Sequence, residues 1–248
     1  MAEATRTVLV TGGSRGLGLA IAEKLAVCGY RVIAVARRKT KDVTAAIAPA
    51  ERRNEGTLHF VPFDLGKIDE IPALVRGLRK EFGALFGLVN NAALGLDGAL
   101  ALMHNAKIEE MVRVNTLSPI VLTKYVVRTM MADGAGRIVN VASIVGFTGA
   151  SGVAAYAATK ASMLGFTRSL AREVGQFGVT VNAVAPGVLE TDMTNALTDE
   201  QRQQIARRSA LRRLAEPEDV ANAVEFLLGD KARNITGAVL TVDAGATA

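Results

Sequence analysis

The sequence predicts an α/β fold, a single doubly wound domain with about seven parallel strands and helices on both faces. Short β-branched apolar runs alternate with longer helical patterns along the chain. Several of these runs are continuously apolar, as expected for parallel strands that are covered on both faces. No linker, repeat or low-complexity tract divides the 248 residues. We therefore expect one domain that spans residues 1–248.

Each element is predicted from its own segment. The candidate strands are short and largely apolar: Thr7–Val10, Arg31–Ala36, Leu58–Phe63, Gly87–Val89, Arg137–Val141, Thr180–Val184 and Val239–Val242. The candidate helices lie between them: Gly16–Val27, Ile68–Phe82, Ile108–Met131, Tyr156–Val174 and Pro217–Leu228. Strands separated by helices of this length form βαβ units with right-handed crossovers. In such sheets, ligands bind at the carboxyl ends of the strands, near the point where the strand order reverses.

The composition restricts the class of protein. Half of the residues are apolar, so the chain can bury a core and is not disordered. Cys28 is the single cysteine, which precludes an intrachain disulfide and indicates a reducing compartment. Because Cys28 lies on an apolar helical stretch, we expect it in the core. The N-terminus shows no signal peptide pattern, and polar residues interrupt the apolar stretch Leu85–Met103, so we expect a cytoplasmic protein without membrane association.

The charge balance favours some ligands over others. The chain has 29 basic and 24 acidic residues, a formal net charge of +5. Nucleic-acid binding would need a groove-reading or base-stacking element on a basic face. With only 4% aromatic residues and no such motif, we do not expect a nucleic-acid partner. A phosphate-bearing ligand or an acidic protein partner fits the excess of arginine better.

A glycine-rich loop follows the first strand and opens the first helix. Glycines at such a turn let the backbone approach a pyrophosphate, whose charge the helix N-terminus stabilises. The position between a first strand and a first helix indicates a Rossmann-type dinucleotide site. The loop residues expected to contact this cofactor are Gly12, Ser14, Arg15, Gly16, Leu17 and Gly18.

The ends of the next strands indicate which dinucleotide binds. NAD-binding folds usually place an acidic residue after the second strand, whereas this chain places Arg37 there. Arg37, with Arg15 across from it, would bind a 2′-phosphate, so we predict NADPH/NADP+ as the cofactor. Asp64 and Leu65 follow the third strand, where they would contact the adenine, although Asp64 could equally be a helix N-cap. Asn91 follows the fourth strand and would line the cofactor.

The candidate catalytic residues share one edge of the predicted sheet. Tyr156 and Lys160 are four residues apart on a helix, so their side chains lie on one face. Ser143 follows the fifth strand and Asn115 lies in the long helix upstream. With the glycine loop and Pro186-Gly187, this set resembles the short-chain dehydrogenase/reductase family in order and spacing over essentially the whole chain. Within the family, the segments at residues 187–194 and 235–237 are most similar to bacterial 3-oxoacyl-[acyl-carrier-protein] reductases.

The resemblance implies a role for each candidate catalytic residue. Tyr156 would protonate the carbonyl oxygen of a ketone while NADPH supplies hydride. Lys160 would provide a positive potential beside Tyr156 and bind the nicotinamide ribose. Ser143 would donate to the substrate oxygen, and Asn115 would hold a water that links Lys160 to solvent. In the loop that begins at Pro186-Gly187, the residues that would anchor the nicotinamide carboxamide are Gly187, Leu189 and Thr191.

The resemblance also implies a substrate and an assembly. The expected substrate is a 3-oxoacyl thioester of acyl carrier protein or coenzyme A, beneath a lid at about 187–214. The expected assembly is a homotetramer built on the long helices. The chain departs from the family pattern at five positions, which are Ala93, Gly134, Val153, Phe177 and Ala244. The substitutions at Gly134, Val153 and Phe177 put the carrier-protein partner in doubt, because the related reductases tend to have arginines at the first and last of these.

Two other functions remain open from the sequence. One is a carbonyl reductase or alcohol dehydrogenase for an unrelated ketone, quinone or sugar. The other is a nucleotide-binding sensor that retains the fold without turnover, against which the intact Ser143, Tyr156 and Lys160 set argues. His59 and His104 do not combine with these residues into a metal site, so we expect no metal.

Overall fold

The structure is a computed structural model that describes residues 5–53, 56–95, 98–189 and 198–248. Its seven strands form one sheet, and every neighbouring pair of strands is parallel. The strands are β1 (Thr7–Thr11), β2 (Arg31–Ala36), β3 (Thr57–Pro62), β4 (Leu85–Asn90), β5 (Gly136–Val141), β6 (Val179–Pro186) and β7 (Val239–Val242). Their order in the sheet is β3-β2-β1-β4-β5-β6-β7. The predicted fold class is therefore confirmed.

Helices connect these strands. The α-helices are α1 (Gly16–Val27), α2 (Lys41–Arg53), α3 (Ile71–Phe82), α4 (Asn105–Val112), α5 (Ser118–Asp133), α6 (Val145–Thr148), α7 (Ala154–Val174), α8 (Asp199–Arg208) and α9 (Pro217–Leu228). A π-helical segment, Arg113–Leu117, joins α4 to α5 without a break. Short 3₁₀ turns lie at Ile68–Glu70, Leu100–Leu102, Gly175–Phe177 and Asp230–Ala232. Within the described ranges, the helices are too short or too polar to cross a membrane.

The sheet separates two hydrophobic cores. Val8 and Val10 pack into one core with α1 and α9, whereas Leu9 between them packs into the other with α3, α5 and α7. Successive side chains of a strand point to opposite faces, so a strand covered on both sides must be apolar throughout. This arrangement explains the continuous apolar runs from which the fold was predicted.

The strand order reverses between β1 and β4. From this central pair, β2 and β3 follow on the side of β1, and β5, β6 and β7 follow on the side of β4. A crevice forms at such a reversal because the connections after the two strands diverge. Thr11 ends β1 and Asn90 ends β4, so the glycine loop and the Asn90-Asn91 segment meet at this crevice. The candidate site is thereby placed at the carboxyl edge of the sheet.

Two expectations about the helices were wrong. Cys28 is exposed and forms the C-cap of α1, because the buried face of that helix comprises Ile21, Ala22, Leu25 and Ala26 and ends before it. The predicted helix Ile108–Met131 begins earlier, ends later and contains the π-helical segment. The helical periodicity of apolar residues is too coarse to reveal one widened turn.

Candidate active site

The glycine loop packs too closely against its surroundings for side chains at two positions. Gly12 has a φ of +69°, and a Cβ there would lie 2.9 Å from the Cα of Ala92. A Cβ on Gly18 would overlap the carbonyl oxygen of Gly12 and lie 2.5 Å from Nδ2 of Asn91. These glycines therefore allow β1, α1 and the end of β4 to pack against one another at the crevice.

Thr11 and Asn91 hold the two sides of the crevice together. Thr11 Oγ1 donates to the carbonyl of Val89 (3.2 Å) and accepts from the amides of Asn91 (2.9 Å) and Ala92 (3.0 Å). Asn91 Nδ2 donates in turn to the carbonyl of Thr11 at 2.9 Å. Asn91 thus braces the glycine loop through its side chain. The bridging role of Thr11 was missed, because the motif spacing does not indicate which residues the threonine hydroxyl would contact.

Positive charge collects beside the carboxyl end of β2. Arg37 is exposed directly after the strand, and Arg15 is exposed as the N-cap residue of α1. Neither arginine forms an ion pair with any residue in the described part of the chain.

Ser14 is buried, and its carbonyl accepts a hydrogen bond from the Thr40 hydroxyl, which joins the glycine loop to the start of α2. An open depression of about 380 Å³ there is lined by Lys39, Thr40, Lys41, Thr44 and Ala45.

Asp64 and Leu65 follow β3 on the same edge of the sheet. Leu65 is buried, whereas Asp64 is exposed and accepts a hydrogen bond from the Gly66 amide through Oδ1 (2.9 Å). The carbonyl of Asp64 accepts from the Lys67 amide at 3.0 Å. Asp64 therefore stabilises its own turn, and its second carboxylate oxygen is available to a ligand.

Tyr156 and Lys160 lie on one face of α7, as predicted. Lys160 is only 4% exposed, and its Nζ donates to the carbonyl of Val141 at 2.8 Å. The same Nζ lies 5.6 Å from the centre of the Tyr156 ring. Burial lowers the pKa of Lys160 from 10.5 to about 8, because removal from water penalises the charged form. This distance is short enough for the Lys160 cation to interact with the Tyr156 ring.

Ser143 is held by the sheet on both sides of its position in the chain. The amide of Ala142 donates to Val184 (2.8 Å) and the amide of Ile144 donates to Pro186 (3.0 Å), both on β6. The Ser143 hydroxyl accepts a long bond from the Val145 amide at 3.4 Å. Its own hydrogen has no acceptor within the described ranges, so it can be donated to a ligand.

Asn115 lies in the π-helical segment and is 3% exposed. Its Oδ1 accepts from the Leu94 amide (2.7 Å), and its Nδ2 donates to the Leu94 carbonyl (2.9 Å) and to Thr159 Oγ1 (3.1 Å). Thr159 Oγ1 donates to the carbonyl of Tyr156 at 2.7 Å. Asn115 therefore connects the loop after β4 to the helix that carries Tyr156. Thr159 was missed, although a threonine three residues after the tyrosine can donate back to its carbonyl.

A chain of buried amides and hydroxyls fixes α7 to the sheet. Asn90 Nδ2 donates to Thr123 Oγ1 (2.9 Å) and to Asn140 Oδ1 (2.8 Å). Asn140 Nδ2 donates to Thr167 Oγ1 at 2.8 Å, two turns after Lys160 on α7. These bonds cross β4 and β5 at directly paired positions. These bonds fix α7, which carries Tyr156 and Lys160, against sliding along the sheet.

The loop after β6 lies against the C-terminal segment. The Gly187 amide donates to Val242 at 3.0 Å, and a Cβ on Gly187 would lie 2.8 Å from the Cβ of Asp243. Leu189 is buried and forms an isolated parallel bridge with Ala215. Thr191, the third expected carboxamide contact, lies outside the described residues.

The lid region carries exposed arginines in a tight turn. Arg207 and Arg208 end α8, and Arg212 has a φ of +56° with its guanidinium donating to the carbonyl of Arg207. The turn is bound to the C-terminal segment, because the Leu211 amide donates to the carbonyl of Ala244 at 3.0 Å. Ala244 itself has a φ of +54°, a conformation that glycine adopts more readily.

Histidine, cysteine and carboxylate groups do not assemble into a cluster of three or more within the described ranges. The structure brings a phenol, a buried ammonium, a hydroxyl and the glycine loop to one edge of the sheet. A phenol beside an ammonium can donate a proton to an oxygen. The glycine loop lies at the start of α1, with the exposed Arg15 and Arg37 beside it.

Comparisons with known proteins agree with this geometry. The family model described as short chain dehydrogenase matches residues 6–202. The chain is 42% identical to the 3-oxoacyl-[acyl-carrier-protein] reductase of Escherichia coli over 240 residues, 97% of this chain and 96% of that protein. It is 39% identical to the reductase of the same name from Staphylococcus epidermidis, covering 97% and 98% of the two chains. The crystal structure of a protein from Agrobacterium tumefaciens assigned as a gluconate dehydrogenase superposes with a TM-score of 0.91 at 29% identity, over 97% and 95% of the two chains.

Proposed function

The chain belongs to the short-chain dehydrogenase family, and we propose that it reduces a 3-oxoacyl thioester to the 3-hydroxyacyl form with NADPH. The observation that carries this proposal is the buried Lys160 ammonium 5.6 Å from the ring of Tyr156, at the sheet edge where Ser143 also lies. Relatives with 39–42% identity over 97% of the chain carry the name 3-oxoacyl-[acyl-carrier-protein] reductase, which supports the substrate class.

Different residues are proposed to bind the two halves of the cofactor. When bound, NADPH supplies the hydride that reduces the carbonyl carbon. Arg15 and Arg37 hold the 2′-phosphate, and Asp64 with Leu65 contacts the adenine. The residues proposed to cradle the pyrophosphate and bind the nicotinamide half are Gly12, Ser14, Gly16, Leu17, Gly18, Asn91, Tyr156, Lys160, Gly187, Leu189 and Thr191.

The chain's own residues supply the proton and orient the carbonyl. Tyr156 donates its phenolic proton to the carbonyl oxygen as hydride reaches the carbon. An ordinary phenol titrates near about 10, and the Lys160 ammonium beside it favours release of that proton. The Ser143 hydroxyl donates to the same oxygen and stabilises its developing charge. Asn115 holds a water that links Lys160 to solvent and, with both amide hydrogens already donated, does so as an acceptor.

The proposed partner of the lid is an acidic acyl carrier protein. Gly134 ends α5 with a φ of +72° and Phe177 is 37% exposed, so the positions where related reductases tend to have arginines lack cations here. Arg207 and Arg208 are exposed at the end of α8 in the proposed lid, whose two ends meet at the bridge between Leu189 and Ala215. These arginines would attract an acidic carrier to the mouth of the site.

We also propose a cytoplasmic homotetramer. Val112 in α4, Leu117 in the π-helical segment and Ile120 in α5 are 45%, 42% and 36% exposed. They lie on the continuous helix that the resemblance places in the assembly. Sedimentation velocity would give a single species of four times the chain mass. A species of one chain mass at micromolar concentration would contradict this proposal.

One observation favours a second candidate function. The superposition on the protein assigned as a gluconate dehydrogenase covers 97% of the chain. Together with the missing arginines at Gly134 and Phe177, this supports a carbonyl reductase or alcohol dehydrogenase for a small substrate without a carrier, such as a ketone, quinone or sugar. The catalytic residues would be the same.

NADPH oxidation in the presence of acetoacetyl-coenzyme A tests the leading proposal. We expect turnover by the wild type, and Tyr156→Phe should reduce it by about 10²–10⁴-fold because the proton donor is lost. Most of the affinity for NADPH should be retained, since the glycine loop and Arg37 are unchanged. Tyr125→Phe on α5 is the matched control and should keep the wild-type rate.

Each contrary result identifies a different error. Turnover in Tyr156→Phe above a tenth of the wild-type rate would exclude Tyr156 as the acid. Wild-type turnover with small ketones or sugars but not with acetoacetyl-coenzyme A would establish the second candidate. NADPH binding without turnover on any carbonyl compound would point to a nucleotide-binding sensor.

A further inference from the structure

We propose that Gly146 is a positioning residue, whose missing side chain sets the distance between the turn that carries Ser143 and the helix that carries Tyr156 and Lys160. Gly146 lies in α6, three residues after Ser143. The inference rests on the proposed reduction, because it assigns Gly146 to the alignment of groups that act on the carbonyl.

The space around Gly146 is occupied by backbone. A Cβ there would lie 3.0 Å from the amide nitrogen of Ala161, 3.0 Å from the carbonyl carbon of Lys160 and 3.2 Å from its oxygen. A flexible side chain could rotate away from a new methyl group, whereas these atoms belong to the body of α7. An alanine at this position must therefore displace α6 or α7 by a few tenths of an ångström.

Backbone conformation does not require a glycine at this position. Gly146 lies within the helical turn of α6 and is not among the described glycines with positive φ. Alanine is the better helix former, so local propensity favours the substitution that the packing opposes. The glycine is consequently explained by the approach of the two elements.

On the side away from α7, hydrogen bonds to β6 hold the turn that carries Ser143 in place. The amides of Ala142 and Ile144 bind β6 at 2.8 and 3.0 Å, one on each side of Ser143. The Gly146 amide donates to the carbonyl of Ser143 at 3.0 Å, so the two residues move together. On the helix side, Lys160 Nζ is bound to Val141 at 2.8 Å. A displacement at Gly146 is therefore passed to Ser143, to Lys160 or to both.

The expected effect is on turnover more than on binding. Catalytic groups need placement to within about 0.5 Å, and a misplacement of about 1 Å can cost 10²-fold in rate. A shift of a few tenths of an ångström should lower kcat by about tenfold in Gly146→Ala. The KM and Kd for NADPH should change several-fold less than kcat, because most of the proposed cofactor contacts lie away from α6 and α7, at the glycine loop and the ends of β2 and β3.

The experiment compares Gly146→Ala with Gly165→Ala. Gly165 is also helical, within α7, and a Cβ there would meet no atom within 4 Å. Steady-state kinetics, NADPH fluorescence titration and the thermal midpoint are measured for both variants and the wild type. We expect Gly165→Ala to keep the wild-type kcat with an equal or higher midpoint. The pH profile of kcat should shift only in Gly146→Ala, because the acidity of Tyr156 depends on the placement of Lys160 and Ser143.

The contrary outcomes separate this proposal from the proposed function. An unchanged kcat in Gly146→Ala would overturn the positioning role. So would equal losses of kcat and NADPH affinity, or loss of the folded state, since these would indicate a general packing role. The substrate is any carbonyl compound that the wild type reduces, so failure on acetoacetyl-coenzyme A alone would contradict only the 3-oxoacyl assignment.

Discussion

Lys160 keeps a charge in a site where burial opposes it, which predicts a conflict between stability and catalysis. The side chain is 4% exposed, and burial lowers its pKa from 10.5 to about 8. A shift of this size corresponds to about 3 kcal/mol that the folded protein loses by keeping the ammonium charged at neutral pH. Lys160→Met removes the charge while retaining an unbranched side chain of similar length.

The stabilisation expected for Lys160→Met is smaller than the full free-energy cost of burying the ammonium. The carbonyl of Val141 loses its donor in Lys160→Met, which costs about 1 kcal/mol. A net stabilisation of roughly 2 kcal/mol at pH 7 should raise the thermal midpoint by about 4–8 °C for a chain of this size. Turnover should fall by orders of magnitude, since the positive potential beside Tyr156 is lost.

The stability difference between Lys160→Met and the wild type should depend on pH, and the lowered pKa of Lys160 determines its direction. Between about pH 8 and 10.5, an unfolded chain still binds a proton at Lys160 while the folded wild type does not. The folding stability that Lys160 contributes therefore rises with pH over this window, and the difference between Lys160→Met and the wild type should shrink.

Thermal unfolding followed by circular dichroism at pH 7 and pH 10, at one protein concentration, measures both quantities. Lys80→Met, which removes an exposed lysine of α3, should change the midpoint little at either pH. If Lys160→Met were less stable than the wild type at pH 7, or if the difference did not depend on pH, burial of the ammonium would not be the source of the conflict.

Three further outcomes follow from other parts of the structure. Arg37→Ala should weaken NADPH binding by roughly ten- to a hundredfold and leave NADH unaffected, and equal losses in titrations of both would remove Arg37 from the 2′-phosphate. Ala244→Gly should raise the free energy of unfolding by about 0.5–1 kcal/mol in a urea titration, because it relieves a φ of +54°; a decrease would show that the strain is absent. Arg207→Glu with Arg208→Glu should raise the KM for an acyl-carrier substrate, most strongly at low salt, and leave that for a small ketone unchanged; unaltered carrier kinetics would exclude this surface as the docking site.

The sheet could be predicted because the pattern that indicates each buried strand lies within the few residues of that strand. In a strand such as Thr7–Thr11, the central residues Val8, Leu9 and Val10 face core on alternate sides, so the sequence shows a continuous apolar run there. Glycine is likewise required at Gly12 by its positive φ and at Gly18 by the atoms around it, whereas the ligand proposed for this loop stays a prediction. These are properties of single positions.

Features that depend on contacts between distant segments could not be predicted. The role proposed for Gly146 depends on the backbone of Lys160 and Ala161, which the spacing of residues does not reveal. The Asn115 bonds to Leu94 and Thr159 depend on a π-helical turn that leaves the apolar pattern of the helix unchanged. Cys28 was misplaced because an apolar stretch gives the direction of a helix face only to within about one residue at its end.

The strand order also has a consequence for how the chain is assembled during synthesis. In this sheet, β1 and β4 are the one neighbouring pair whose members are not consecutive in the sequence, with Val8 opposite Gly87. At about 5–20 residues per second, the ribosome needs roughly 4–16 s to make the chain between these partners. During that interval one edge of β1 has no native strand to pair with, and such an apolar edge is a template for association with other chains. The crevice at the carboxyl edge of the sheet therefore forms only after β4 has been made and has paired with β1.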